Sequence, residues 1–167
     1  MKKDRVGVEK KNVMTRFTYE ALQKEVAKAS EDVGSSLKRI GEAAGTESDW
    51  HDNAAFDFAN VQHDVNSSRL GSIMSKLKNV EFIEPPEKVD NVSVGTTVVV
   101  KFQGENEDES FTVLGPADSG RKEGWISYDS PLGSNLLGKK TGEEAVFSVQ
   151  DRQQKVKVVK ILPGEFD

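Results

Sequence analysis

The sequence predicts an α+β chain: a long antiparallel helical hairpin, then a small, mostly antiparallel sheet domain with one short helix. Three observations carry this reading. No proline occurs between Phe17 and Val80, where apolar residues recur at helical spacing. Pro85 and Pro86 then stop any helix, because proline lacks the N–H and clashes with the preceding turn. Beyond them come short runs of β-branched and aromatic residues, parted by glycine-containing turns.

Residues 1–14 carry several lysines and arginines and little else, and read as a basic, mobile tail. The hairpin is expected over 15–83. On its first arm Leu22, Val26, Ala29, Val33, Leu37, Ile40 and Ala44 step by threes and fours, close to a heptad seam. Thr15 or Thr18 is placed to cap this arm by accepting from the open N–H groups of its first turn. At 1.5 Å per residue, an arm from Thr18 to Ala44 is roughly 40 Å long. Gly45 to Asn53 is a polar, turn-rich tip, and two helices joined so briefly pack antiparallel. The second arm offers Ala54, Phe58, Val61, Val65, Leu70, Ile73, Leu77 and Val80. The step of five from Val65 to Leu70 predicts a local change of supercoil. Residues 84–90 form a linker, and 91–163 a sheet domain. Its strands are expected at Thr97–Phe102, Ser110–Leu114, Trp125–Tyr128, Ala145–Val149 and Lys155–Ile161, with a short helix between Ser130 and Gly138.

Composition narrows the function. The chain has 167 residues with 35% apolar and 31% charged, which favours a large solvated surface over one thick core. Its net charge of -5 argues against a broadly basic nucleic-acid binder. Cysteine is absent, so neither a disulfide framework nor a thiolate zinc site is available. No apolar run is long enough to span a bilayer, and the first residues do not read as a signal peptide, so a soluble cytoplasmic protein is expected.

The chemistry concentrates at the tip. No Lys or Arg occurs from Ile40 through Ser68, while Glu42, Glu47, Asp49, Asp52, Asp57 and Asp64 gather negative potential there. Asp49 and Asp52, three apart, suit Mg²⁺, which takes one or two protein carboxylates and keeps most of its water or phosphate ligands. The alternative is that these acids only favour the N-terminus of the second helix, where the dipole prefers negative charge. Trp50 and Phe56 either lock the turn or reach a partner. His51 and His63 lack a third imidazole and do not suggest zinc. Ser127 and Ser130 have no evident base, and no phosphate-cradling glycine loop is present.

Several segments together resemble the Gre transcript-cleavage factors of bacterial RNA polymerase, over about residues 14–162. Met14 to Leu22 is similar to the family's opening M-T-R-E-G-Y-E-A-L, with Phe17 and Thr18 replacing Glu and Gly. Ser48 to Phe56 resembles the tip G-D-L-S-E-N-A-E-Y, and Arg69-Leu70 with Ile73 and Leu77 resembles the end of the second arm. Val113 to Pro116, Ile126 to Gly133, Leu136 to Lys139 and Thr141 to Glu143 match the C-terminal half. The resemblance implies a coiled-coil hairpin inserted through the secondary channel of the polymerase, and an FKBP-like domain docked at the channel rim. It implies that Asp49, Asp52 and Asn53 act in trans, the two aspartates sharing a Mg²⁺ with the polymerase so that water cleaves backtracked RNA. The factor would then be no enzyme by itself and a monomer, with weak contact to the nascent RNA 3′ end. Weak contact follows from Gly45 and Asn60 standing where the family often has cations. Two other functions compete: a Gre-like paralogue that occupies the channel and tunes transcription without stimulating cleavage, and a prolyl isomerase or chaperone on the C-terminal sheet. The latter rests on fold likeness alone.

Overall fold

The computed structural model describes residues 11–44, 54–150 and 152–166. In chain order its elements are β1 (Asn12–Met14), α1 (Arg16–Ala44), α2 (Ala54–Lys76), β2 (Val80–Phe82), β3 (Thr96–Phe102), β4 (Asp108–Leu114), β5 (Trp125–Ser127), α3 (Pro131–Leu136), β6 (Glu144–Val149) and β7 (Arg152–Pro163). The architecture is α+β. The chain divides into a sheet unit, drawn from residues up to Tyr19 and from Asn79 onward, and a helical unit, Glu20–Lys78.

In the sheet unit all five strands expected from the sequence are present, with ends shifted by a few residues, in the order β5-β4-β3-β7-β6. Only β4 and β5 run parallel; the other pairs are antiparallel. Alternation explains the strands: on β3, Val98 and Val100 point into the core while Thr97 and Val99 point away. Val98 lies opposite Phe111 on β4 and Ile161 on β7. Val159 is the extra residue of a bulge, since Val99 faces Lys160 and Val100 faces Val158. The inward valines pack with Val113, Val156, Val158, Phe147 and Leu136 of α3.

The expected tail at 1–14 and the expected hairpin end at 83 both need correction. Residues 12–14 are a strand, paired in parallel with β2 from Asn12↔Val80 to Met14↔Phe82, and α2 stops at Lys76. Residues 1–10 lie outside the described residues. A three-residue strand shows no readable period, and Val80-Glu81-Phe82 is too short to be told from one more helical turn.

A buried carboxylate holds the N-terminal segment in place. Asp118 is fully buried and accepts from Thr15 N at 3.0 Å, Thr15 Oγ1 at 2.7 Å and Gly115 N at 3.1 Å. Thr15 is also the cap of α1, its Oγ1 accepting from Thr18 N at 3.2 Å. Gly115 allows the approach: a Cβ there would lie 1.8 Å from the Val13 carbonyl oxygen. The first turn of α1 adds aromatic contacts. Phe17 meets Trp125 edge to face at 5.6 Å, with Lys122 Nζ 4.1 Å above the Phe17 ring, and Tyr19 meets Phe82 at 5.4 Å.

In the helical unit two hydrogen bonds set the pairing of α1 and α2. Ser36 Oγ lies 3.1 Å from His63 Nδ1, and Asn66 Nδ2 donates to the Asp32 carbonyl at 3.2 Å. Moving back along α1 moves forward along α2, so the helices run antiparallel. The expected seam needs correction. On α1 it runs through Leu22, Val26, Ala29, Val33, Ser36, Ile40 and Ala43, with Ser36 in place of Leu37 and Ala43 in place of Ala44. On α2 it runs through Phe56, Ala59, His63, Asn66, Leu70 and Ile73, and on to Leu77 just past its end, stepping by threes and fours with no break. Phe58, Val61 and Val65, expected inside, are 65%, 57% and 57% exposed. Polar side chains occupy middle levels of the seam, so counting apolar residues selected the wrong face.

Asp118→Ala would strand the buried backbone N–H groups of Thr15 and Gly115, while the Thr15 hydroxyl keeps Thr18 Oγ1 as an acceptor at 3.2 Å. The expected cost is about 3 kcal/mol, read as a lower urea midpoint. Gly115→Ala should be at least as damaging, because β1 must move away from β4; Ser119→Ala, on the exposed side of the same turn, should cost little.

Candidate functional site

The residues expected to do chemistry, Asp49, Asp52 and Asn53, lie outside the described residues, as do Trp50 and His51. The structure gives the frame on either side: α1 ends at Ala44 and α2 begins at Ala54. On this frame Glu42, Asp57 and Asp64 are exposed carboxylates. Asp57 sits in the first turn of α2, where the helix dipole favours a negative charge. Lys38 approaches Glu42 only to 4.0 Å, with both side chains mostly in water, so that pair contributes little. Among the described residues no group of three or more His, Cys, Asp or Glu side chains could hold a metal ion.

Below the tip the seam is held by a polar relay rather than by packing alone. His63 lies between Ser36 Oγ at 3.1 Å from Nδ1 and Ser67 Oγ at 3.4 Å from Nε2. Ser36 Oγ also donates to the Val33 carbonyl at 2.8 Å. A polar level inside a two-helix seam fixes register at some expense of stability. Sequence reasoning set His63 aside because it looked only for metal partners. The signal available was the unbroken run of threes and fours through Ala59, His63, Asn66 and Leu70. Phe56 is half-buried at the first seam level of α2, and the turn it was expected to lock lies outside the described residues.

In the sheet unit, the segment Ile126 to Gly133 builds the entry to α3. Ser130 caps that helix, its Oγ accepting from Gly133 N at 3.0 Å and donating to the Ser127 carbonyl at 2.7 Å. Ser127 Oγ donates to Asp129. Gly133 lies against strand β5: a Cβ would fall 2.1 Å from the Ser127 carbonyl oxygen. Both hydroxyls serve the turn into α3; contrary to the expectation that Ser127 has no base nearby, its Oγ faces the Asp129 carboxylate. Another matching segment, Val113 to Pro116, leads into Asp118, which bonds Thr15. Two motifs a hundred residues apart in the chain are therefore the halves of one contact.

Comparison with known proteins agrees across both units. The family described as "Transcription elongation factor, GreA/GreB, C-term" matches residues 86–163. The transcription elongation factor GreA of Clostridium acetobutylicum is 32% identical over 154 residues, covering 92% of this chain and 98% of the relative. The GreA of Treponema pallidum is 29% identical over 155 residues, covering 92% and 91%. Among solved structures, GreA factor homolog 1 (Gfh1) of Thermus thermophilus is similar over 91% of this chain and 99% of its own, with 22% identity and a TM-score of 0.43, too loose a likeness to bear on function.

His63→Leu places an apolar side chain at a seam level and leaves Ser36 bonded to Val33. It should raise the stability of the helical unit by about 1 kcal/mol, read as a higher urea midpoint of the far-ultraviolet helical signal. A lower midpoint would show that the imidazole is a net stabiliser, and an unchanged one that its hydrogen bonds offset the apolar gain.

Proposed function

Since the chain belongs to the GreA/GreB family of transcription elongation factors, we propose that it acts on bacterial RNA polymerase, entering the secondary channel with its hairpin and stimulating cleavage of backtracked RNA. The observation that carries this reading is the likeness to GreA over 92% of the chain, which includes the hairpin end as well as the sheet unit. The acidic balance of that end supports it. Glu42, Asp57 and Asp64 are exposed on the helices flanking 45–53, and no Lys or Arg lies between Ile40 and Ser68.

The donor chemistry of the tip fits Mg²⁺. Asp49 and Asp52 offer hard carboxylate oxygens, too few for a closed site, which leaves the other ligands to the polymerase. When bound there, the ion would activate water and stabilise the leaving oxygen of the phosphodiester. In this reading Asp49 and Asp52 would bind and orient, and Asn53 would position by hydrogen bonding. Asp52 is one methylene shorter than the Glu of the family pattern, so the hairpin would seat about an ångström deeper to bring its oxygens to the same point. The sheet unit supplies docking at the channel rim. The protein is then a cytoplasmic, monomeric factor that completes another machine's active site and is not itself an enzyme.

Backtracked elongation complexes supplied with the protein and Mg²⁺ should release short 3′ RNA products above the intrinsic rate. Asp49→Asn should lower the stimulated rate on the order of a hundredfold while affinity for the polymerase stays within about twofold. Binding without any stimulation by the unaltered protein would replace this reading with that of a channel-blocking regulator.

A further inference from the structure

The residues that left the seam define a surface of their own. Phe58, Val61 and Val65 follow one another at i, i+3 and i+7, which puts them in one row along α2. All three are more than half exposed, and among the described residues Phe58 is the most exposed of the large apolar side chains. Asp57, Val61 and Asp64, at i, i+4 and i+7, form the adjoining row, and both aspartates are exposed. Single apolar side chains in water are ordinary, but a contiguous row bordered by charge marks an interaction surface. The placement costs the helical unit stability, since Ser36, His63 and Asn66 occupy seam levels while a phenylalanine and two valines face out.

The charges select the partner. Positions three and four residues from Asp57 and Asp64 hold only Asn, Ala, Val and Ser, so neither carboxylate has an intrahelical cation. A second copy of this face would set aspartates against aspartates, and a nucleic-acid backbone or an anionic bilayer would be repelled outright. We propose that the row of Phe58, Val61 and Val65, with Asp57 and Asp64 beside it, docks on a protein wall that presents an apolar patch edged by lysine or arginine. Resting on the function proposed above, that wall belongs to RNA polymerase, and the row grips it along the side of the hairpin.

The test uses the full chain, fluorescently labelled, titrated with core RNA polymerase. The triple variant Phe58→Gln, Val61→Gln and Val65→Gln keeps good helix formers at exposed positions and should fold as the parent does, which its urea midpoint checks. Its Kd should rise about tenfold or more. The pair Asp57→Asn and Asp64→Asn should weaken binding about threefold at low salt, a difference that fades at high salt. Parent-like affinity in the triple variant, with the parent binding tightly, would overturn this inference and leave the proposed function intact. A parent chain that does not bind polymerase would overturn both. A parent that sediments as a dimer and a triple variant that sediments as a monomer would assign the row to a second copy and overturn the polymerase assignment.

Discussion

The carboxylate of Asp118 is the interaction on which the sheet unit depends. Its two oxygens gather an N–H and a hydroxyl from Thr15 and an N–H from Gly115. A buried charge is costly unless hydrogen bonds replace its hydration, and here three donors do so. The same threonine caps α1, so one side chain both anchors a strand and starts a helix. Met14 and Leu114, on the two sides of this contact, are completely buried. Arg16 extends the anchorage outward, its guanidinium 4.7 Å above the Phe82 ring and 3.4 Å from Glu84.

The helical unit follows a different rule. Its register rests on directed hydrogen bonds between Ser36 and His63 and between Asn66 and the Asp32 backbone, with alanine, valine, leucine and isoleucine filling the levels around them. Directed bonds discriminate between registers more sharply than apolar contacts do, because a slip of one level leaves donors and acceptors unpaired. Such a seam exchanges some stability for a fixed register. The apolar side chains thereby released face outward along α2.

The legible parts of the fold were those with a period long enough to count. β3 was readable from its run of β-branched residues and β7 from alternating valines and lysines, α3 from Ser130-Pro131 at its start and Gly138 after its end. The paired strands β1 and β2 were not, because three residues carry no period and the contact that anchors the end of β1, Thr15 to Asp118, lies far along the chain. The seam of α2 was half legible: Leu70, Ile73 and Leu77 were found, whereas His63 and Asn66 were hidden by their polarity and Val61 and Val65 stood in for them. For the site, residue types and spacing singled out Asp49 and Asp52, which lie outside the described residues. Asp118 escaped notice because a lone acid in a glycine-proline turn ordinarily faces water.

Because β1 and β2 run side by side in parallel, Met14 opposite Phe82, the chain departs and comes back through neighbouring strands. Parallel neighbours require a crossover, and here the crossover is the entire stretch that contains α1 and α2. In topological terms the hairpin is an insertion with adjoining splice points. Its two arms can gain or lose matched heptads while the join stays as it is, so reach is a dimension that evolution or an engineer can vary separately from attachment.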